Sequence, residues 1–260
     1  MLQGKTALIT GSTSGIGLAT ARELAKSGAD IVLHGLMDDH DGQAMARQLA
    51  DEFGIRTMFN GANLADAGAI ADFMDTAIAE MGGIDILVNN AGIQHTQDII
   101  GFPADKWHAI LAINLSSAFF TMQKALPKMQ QNQWGRIINI ASVHGLVASV
   151  NKSAYCAAKH GIVGLTKVAA LENAANGVTA NAICPGWVDT PLINSQIQDF
   201  ADKNDMSFDQ AKVNLVTTKQ PMPTMANPSQ IGELILFLCS EAAGSITGAS
   251  LPVDGGWTAQ

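Results

Sequence analysis

The run TALITGSTSGIG, residues 6–17, decides the fold. Thr6 to Thr10 is a short apolar stretch that reads as a buried strand. A helical pattern follows to about Ser27. Gly11, Gly15 and Gly17 fall between the two, where dinucleotide folds seat a pyrophosphate. Glycines let the backbone turn tightly and approach the phosphates, and the helix N-terminus favours their negative charge. The spacing is GxxxGxG rather than the usual GxGxxG. Placement after a first strand therefore carries more weight here than the motif itself.

Working outward, strand and helix patterns keep alternating. Further strands are expected at Asp30 to His34, Arg56 to Phe59, Ile84 to Val88, Arg136 to Ile140, Val178 to Ile183 and Leu251 to Val253. Helices are expected at Asp41 to Phe53, after the N-cap Asp66, from about Ala104 to Met129, from Ser153 to Ala175, and after Asn227-Pro228. Alternation of this kind predicts an α/β fold, a Rossmann-like doubly wound parallel sheet in a single domain spanning 1–260. Residues 188–225 break the rhythm. They are polar and contain two helical patterns, the second marked by a Ser207–Gln210 capping box. An insertion after a strand's C-terminal end sits over the mouth where such sheets bind ligands, so a helical substrate lid is expected.

Composition bounds the rest. The chain has 260 residues, 47 % of them hydrophobic and 15 % charged, with a net charge of −8. That charge speaks against a nucleic-acid or anionic-membrane partner. Cys156, Cys184 and Cys239 are few and widely spaced, which predicts buried free thiols and no cysteine metal site. No metal ligand is assigned. The first residues lack a basic segment followed by an apolar one, so no secretory signal is expected. No apolar run is expected to reach the ~20 residues of a membrane span.

Tyr155 and Lys159 are one helical turn apart on one face. A tyrosine hydroxyl has an ordinary pKa near ~10, and a nearby ammonium lowers it by favouring the phenolate. Ser142, thirteen residues earlier, can donate to the same substrate oxygen. Together they predict a proton-transfer site for an alcohol or carbonyl. Cofactor choice is read after the second strand, where an acid usually meets a ribose 2′-OH and Arg or Lys meets a 2′-phosphate. This chain has Leu36 there, then Asp38 and Asp39, with no Lys or Arg between Lys26 and Arg47. NAD is therefore expected over NADP.

GSTSGIG (11–17), NNAG (89–92), Asn114, Ser142, Tyr155-x3-Lys159 and Pro185-Gly186 occur together and in this order. In these residues the chain resembles the short-chain dehydrogenase/reductases over nearly its whole length. The resemblance implies that Tyr155 is the acid/base, that Ser142 polarises the carbonyl, and that Lys159 lowers the Tyr155 pKa and holds the nicotinamide ribose. It implies that Asn114 supports a water relaying protons to Lys159. On the cofactor it places Gly11, Thr13, Ser14, Gly15, Ile16 and Gly17 at the phosphates. Leu36, Asn63, Leu64, Asn90, Ala91 and Gly92 fall on the adenosine side, and Pro185, Gly186, Val188 and Thr190 on the nicotinamide side. Many members carry Asp where this chain has Asn63.

Four polar residues stand near the expected mouth: Gln94, His144, Lys152 and Gln196. Each has a bland reading as a surface amide, a core histidine or a solvated lysine. Their positions, just past the fourth strand, beside Ser142, beside Tyr155 and on the lid, allow all four to meet one small anion. Trp187 and Trp257 are placed to wall the other side. NNAGIQHT (89–96), ASVHGLVAS (141–149), NKSAYCAAKHG (151–161), CPGWVDTPL (184–192) and VDGGWTA (253–259) resemble a narrower group, the bacterial NAD-dependent D-3-hydroxybutyrate dehydrogenases. That resemblance implies a carboxylate site made by those four residues, 3-hydroxybutyrate or acetoacetate as substrate, a homotetramer and a cytoplasmic location. Another carbonyl reductase, such as a 3-oxoacyl-thioester reductase, is the alternative. A catalytically silent dinucleotide-sensing protein is a third reading, which the Asn114, Ser142, Tyr155 and Lys159 set opposes.

Overall fold

Strands covered on both faces must be apolar throughout, and every residue of β1 (Thr6–Ile9) and β4 (Ile86–Asn89) is buried. In β1, Ala7 and Ile9 pack with one layer of helices while Leu8 packs with the other, the period of two that a strand imposes. The computed structural model describes residues 1–259. Between β1 and β4 lie α1 (Gly15–Lys26), β2 (Asp30–His34), α2 (Asp39–Phe53), β3 (Thr57–Asn60) and α3 (Ala67–Met81). Then follow α4 (Ala104–Leu111), α5 (Ser117–Gln131), β5 (Gly135–Ile140), α6 (Ser153–Asn173), β6 (Val178–Pro185), α7 (Pro191–Asn204), α8 (Phe208–Thr217), α9 (Pro228–Leu238) and β7 (Ser250–Val253). The seven strands form one sheet in the order β3-β2-β1-β4-β5-β6-β7, each neighbouring pair parallel. The winding reverses between β1 and β4. Such a reversal opens a crevice at the strands' C-terminal ends, and that is where the site lies.

One core layer joins α1, α2 and α9 to the sheet through Leu24, Leu49, Ile231 and Ile235. The other joins α3, α5 and α6 through Phe73, Met74, Met122 and Ala169. Buried polar groups tie the second layer to the strands. Asn89 donates to Asn139 at 2.9 Å, Asn139 donates to Thr166 at 2.8 Å, and Thr121 donates to Asn89 at 2.7 Å. This network joins β4, β5, α5 and α6 and fixes the helix that carries Tyr155.

Several expectations shift. Arg56 lies outside β3, because its backbone N–H and guanidinium both bind the Asp30 carboxylate. β4 starts at Ile86, since Asp85 instead accepts from the Thr6 N–H at 3.0 Å. The single helix expected over 104–129 is interrupted by a π-helical turn at Ala112–Ser116. The continuous helical stretch Ala104–Gln131 reaches the length and mean hydropathy of a membrane span, although Asp105, Lys106, Lys124 and Lys128 interrupt its apolar character. Here it packs Ile110, Ala118, Met122, Ala125 and Met129 into the protein.

Residues 188–225 hold α7 and α8, which share an apolar cluster of Ile193, Ile197, Ala201 and Ala211. The expected capping box at Ser207 is present, and the expected cap at Asn227 is also a capping box, closed by Gln230. The insertion's two ends are stitched together, with Ala226 N donating to Trp187 O at 2.9 Å and Asp189 N to Ala226 O at 3.0 Å. Among the described residues all three cysteines are free thiols; Cys184 and Cys239 are buried and Cys156 half-buried.

Candidate active site

The glycine loop makes a cradle that no larger residue could share. A Cβ on Gly17 would fall 2.2 Å from the Gly11 carbonyl oxygen, and one on Gly11 would fall 2.9 Å from the Ala91 Cα. Gly11 also sits at φ +64°, a left-handed conformation that L side chains rarely adopt. Ser14 precedes α1 without a side-chain cap bond, and the first turn of α1 carries no acid. The helix therefore presents uncapped N–H groups and positive dipole to the cradle, which suits a pyrophosphate. Asn90 does not point outward; its amide donates to the Thr10 and Gly11 carbonyls at 2.9 Å and holds the loop from below.

One cavity runs from this cradle, past Leu36, Asn63 and Leu64, to Lys152, Gln196 and Trp257. It brings together every expected cofactor and substrate residue except Gly17, which lies behind the cradle. Asn114 is buried outside the lining. Its amide is tied to the Ile93 backbone, accepting from Ile93 N and donating to Ile93 O at 2.9 Å each. The π-helical turn carries it there.

At the centre stand Ser142, Tyr155 and Lys159. Lys159 is buried and donates to the Ile140 carbonyl at 2.7 Å, 5.5 Å from the Tyr155 ring centre. Burial brings the Lys159 pKa down to about 8. The Tyr155 pKa is pushed up to about 12 by burial, against a downward pull from its hydrogen bond with Ser142. Desolvation thus dominates at Tyr155, the pull that lowers its pKa comes from Ser142 rather than from the expected Lys159, and the Lys159 ammonium spends a hydrogen bond on the Ile140 carbonyl.

The substrate end is built from separate loops. Lys152 Nζ donates to Gln94 Oε1 and to Gln196 Oε1, both at 3.0 Å. Gln97 N donates to Asn151 O at 3.0 Å, drawing the loop after β4 against the one before α6. Burial lowers the Lys152 pKa, and among the described residues no carboxylate pairs with it. His144 lies in the same cluster with both ring nitrogens engaged, Nδ1 with Ser142 at 3.3 Å and Nε2 with Ser149 at 3.0 Å. Its pKa is brought down to about 4, by burial first and then by the Lys152 charge. Trp257 packs edge-on to His144 and at 5.5 Å from Trp187, whose buried Nε1 has no partner.

Sequence reasoning missed His34, Ile93, Ser149 and Leu192. His34 closes β2 and was legible as the last residue of an apolar strand. Ser149 carried no signal, because its role depends on a loop turning back on itself. Asp38, His40 and Asp41 bring possible ligand atoms within 4.8 Å of one another at the exposed start of α2. Asp38 is already used there, capping the helix through the His40 N–H.

Comparison with known proteins agrees with this geometry. The family model described as enoyl-(acyl carrier protein) reductase matches residues 11–258. The chain is 55 % identical over 260 residues to a D-beta-hydroxybutyrate dehydrogenase of Cupriavidus necator, covering 100 % of both chains. It is 48 % identical over 256 residues to a protein of the same name from Rhizobium meliloti, covering 98 % of this chain and 99 % of that one. Among solved structures, L-sorbose reductase from Gluconobacter frateurii, complexed with NADPH and L-sorbose, superposes with a TM-score of 0.94 at 29 % identity. That match covers 100 % of this chain and 98 % of the other.

Proposed function

The chain belongs to the short-chain dehydrogenase/reductase family, and we propose that it interconverts D-3-hydroxybutyrate and acetoacetate with NAD as its cofactor. Its similarity to two full-length relatives named D-beta-hydroxybutyrate dehydrogenase supports that substrate. The observation that carries it is Lys152, a half-buried ammonium held between two amide oxygens with no acid beside it. Such a group stays charged at a cost of desolvation unless an anion completes its shell. A carboxylate does so, and Gln94 and Gln196 can each turn an amide N–H toward it. His144 borders the same space, and Trp187 and Trp257 give the small acid an apolar wall.

The cofactor reading rests on the cradle around Gly11 and Gly17 and on the rim of the adenosine side. Leu36 is 72 % exposed there, and Asp38 and Asp39 follow it. A 2′-phosphate would meet acids and no cation. When bound, the nicotinamide ring supplies or accepts the hydride. Tyr155 Oη gives a proton to the acetoacetate carbonyl oxygen in reduction and takes it back in oxidation. The Ser142 hydroxyl donates to the same oxygen and polarises it. Lys159 holds the ribose and adds positive potential beside Tyr155. Asn114 braces the loop at Ile93, and a proton path to Lys159 runs past its backbone. Residues 188–225 close over the substrate within one domain, since Gln196 on α7 reaches Lys152. The working form is a cytoplasmic homotetramer.

The test is NADH oxidation by the purified protein with acetoacetate and acetoacetyl thioesters side by side. Acetoacetate is expected to be the better substrate by kcat/KM. A preference for the thioesters with NADPH would give the assignment to the 3-oxoacyl-thioester reductases instead.

A further inference from the structure

His34 is a buried imidazole that no step above uses. It closes β2 directly beneath the glycine loop. Its Nδ1 receives the Gly11 N–H at 3.1 Å, and its Nε2 lies 2.9 Å from the Ala62 carbonyl oxygen. A backbone N–H can only donate and a carbonyl can only accept, so the partners themselves fix the tautomer: Nε2 carries the hydrogen and Nδ1 is bare. The backbone adds two ties to the same loop. Ser12 N donates to His34 O at 2.7 Å, and His34 N donates to Ser12 Oγ at 2.9 Å. Ala62 is itself braced, its N–H donating to Asn60 Oδ1 at 2.9 Å, and it leads into Asn63 and Leu64 on the cavity wall.

We propose that His34 is a positioning residue for the dinucleotide, its ring tying the first glycine of the phosphate loop to the loop that walls the adenosine side. The inference rests on the cofactor reading given above. A free Gly11 N–H would have to find water or swing out of the cradle, and the loop would lose the geometry that a pyrophosphate meets. Protonation has the same effect, because a hydrogen on Nδ1 would face the Gly11 N–H. The elements around the ring bring no charge to it. The glycine loop after β1 presents Gly11 and Ser12, β3 presents Asn60, the loop after β3 presents Ala62, and α3 presents Phe73 at 5.3 Å between ring centres. Burial alone holds the His34 pKa below its ordinary value, with the Ala62 bond opposing it. Cofactor affinity is therefore at its full value at neutral pH and falls as acid reaches the ring.

The experiment is calorimetric titration of the full chain with NAD at neutral pH. It compares wild type with His34→Asn and His34→Gln. An Asn amide oxygen reaches the Nδ1 position and keeps the Gly11 bond, whereas a Gln amide reaches only the Nε2 position. His34→Asn should bind within about threefold of wild type, while His34→Gln should bind about five- to tenfold more weakly. Thermal unfolding of each variant checks that it is folded. Equal affinities in all three proteins would overturn the role of His34. A wild type that binds neither NAD nor NADP would overturn the cofactor reading, and this inference with it.

Discussion

The cofactor half of the cavity and the substrate half are built in opposite ways. The first is backbone: glycines at a strand–helix junction, an uncapped helix end, and the half-buried Asn90 and buried His34 that hold the loop in place. The second is side chains: Gln94, Ser142, Lys152, Gln196 and Trp257 come from five separate stretches, and one of them stands on α7. Backbone walls at a sheet's winding reversal are set by the fold and suit a ligand common to many enzymes. Convergent side chains on loops are where specificity is adjusted without disturbing the core. Substitutions should therefore separate cleanly, with substrate-side changes leaving cofactor binding intact.

The largest expected effect tests that separation at its centre. Tyr155→Phe keeps the ring and removes only the ionisable oxygen. A loss of kcat of at least ~10²-fold is expected, the low end for a positioned acid/base. NAD affinity, measured by calorimetry, should change little. Near-normal turnover would show that Tyr155 is not the acid/base.

Next in size is Lys152→Ala. A charge-assisted hydrogen bond contributes roughly 1.5–3 kcal/mol, or about 10- to 150-fold in kcat/KM toward 3-hydroxybutyrate. The methyl ester of the substrate gives the comparison. Wild type should handle the uncharged ester poorly, and the variant should lose little more on it. Equal losses on acid and ester would make Lys152 structural.

The same contrast explains what could be read from the chain beforehand. The cofactor half was legible because its signals are local. Glycines after an apolar run, an N-cap, a strand ending in NNAG all lie within a few residues of the structure they specify. The four substrate-side residues were legible from their positions around the expected mouth and their carboxylate role by resemblance, but their wiring was not. Nothing local says that His144 spends both nitrogens on Ser142 and Ser149, or that the Lys152 ammonium lies between two glutamines. The π-helical turn at Ala112–Ser116 was equally hidden. Its residues have ordinary helical character, and the extra residue is accommodated because the Asn114 side chain finds the Ile93 backbone.

Acid should expose the buried histidines of both halves together. His144 titrates near 4 in the folded protein, and His34 also lies below the ordinary 6.5. Between those values the unfolded chain binds protons that the folded one refuses, so stability falls as pH drops from about 6.5 toward 4. For His144 alone the loss from neutral pH to about pH 5 is on the order of 2 kcal/mol. Urea midpoints at the two pH values measure it. His144→Asn should shrink the difference, and a midpoint that does not move with pH would mean that the rings are not buried neutral.

The smallest effect concerns the rim of the cofactor half, the one part of that half made by side chains. NAD should exceed NADP in kcat/KM by at least an order of magnitude, about 1.4 kcal/mol. The cause is local charge. Leu36 offers no hydrogen bond to either ribose, so the discrimination comes from repulsion: Asp38 and Asp39 lie just beyond it and no Lys or Arg stands between Lys26 and Arg47. Asp38 is fixed in place by capping α2 through the His40 N–H, so its charge cannot easily swing away. Repulsion between exposed groups is screened, so the preference should narrow as salt is raised. Leu36→Arg places a cation where a 2′-phosphate would sit, and should raise kcat/KM with NADP while leaving acetoacetate KM unchanged. Equal use of NAD and NADP by the wild type at low salt would remove the charge argument. A Leu36→Arg variant that also altered acetoacetate KM would show that the two halves are not independent.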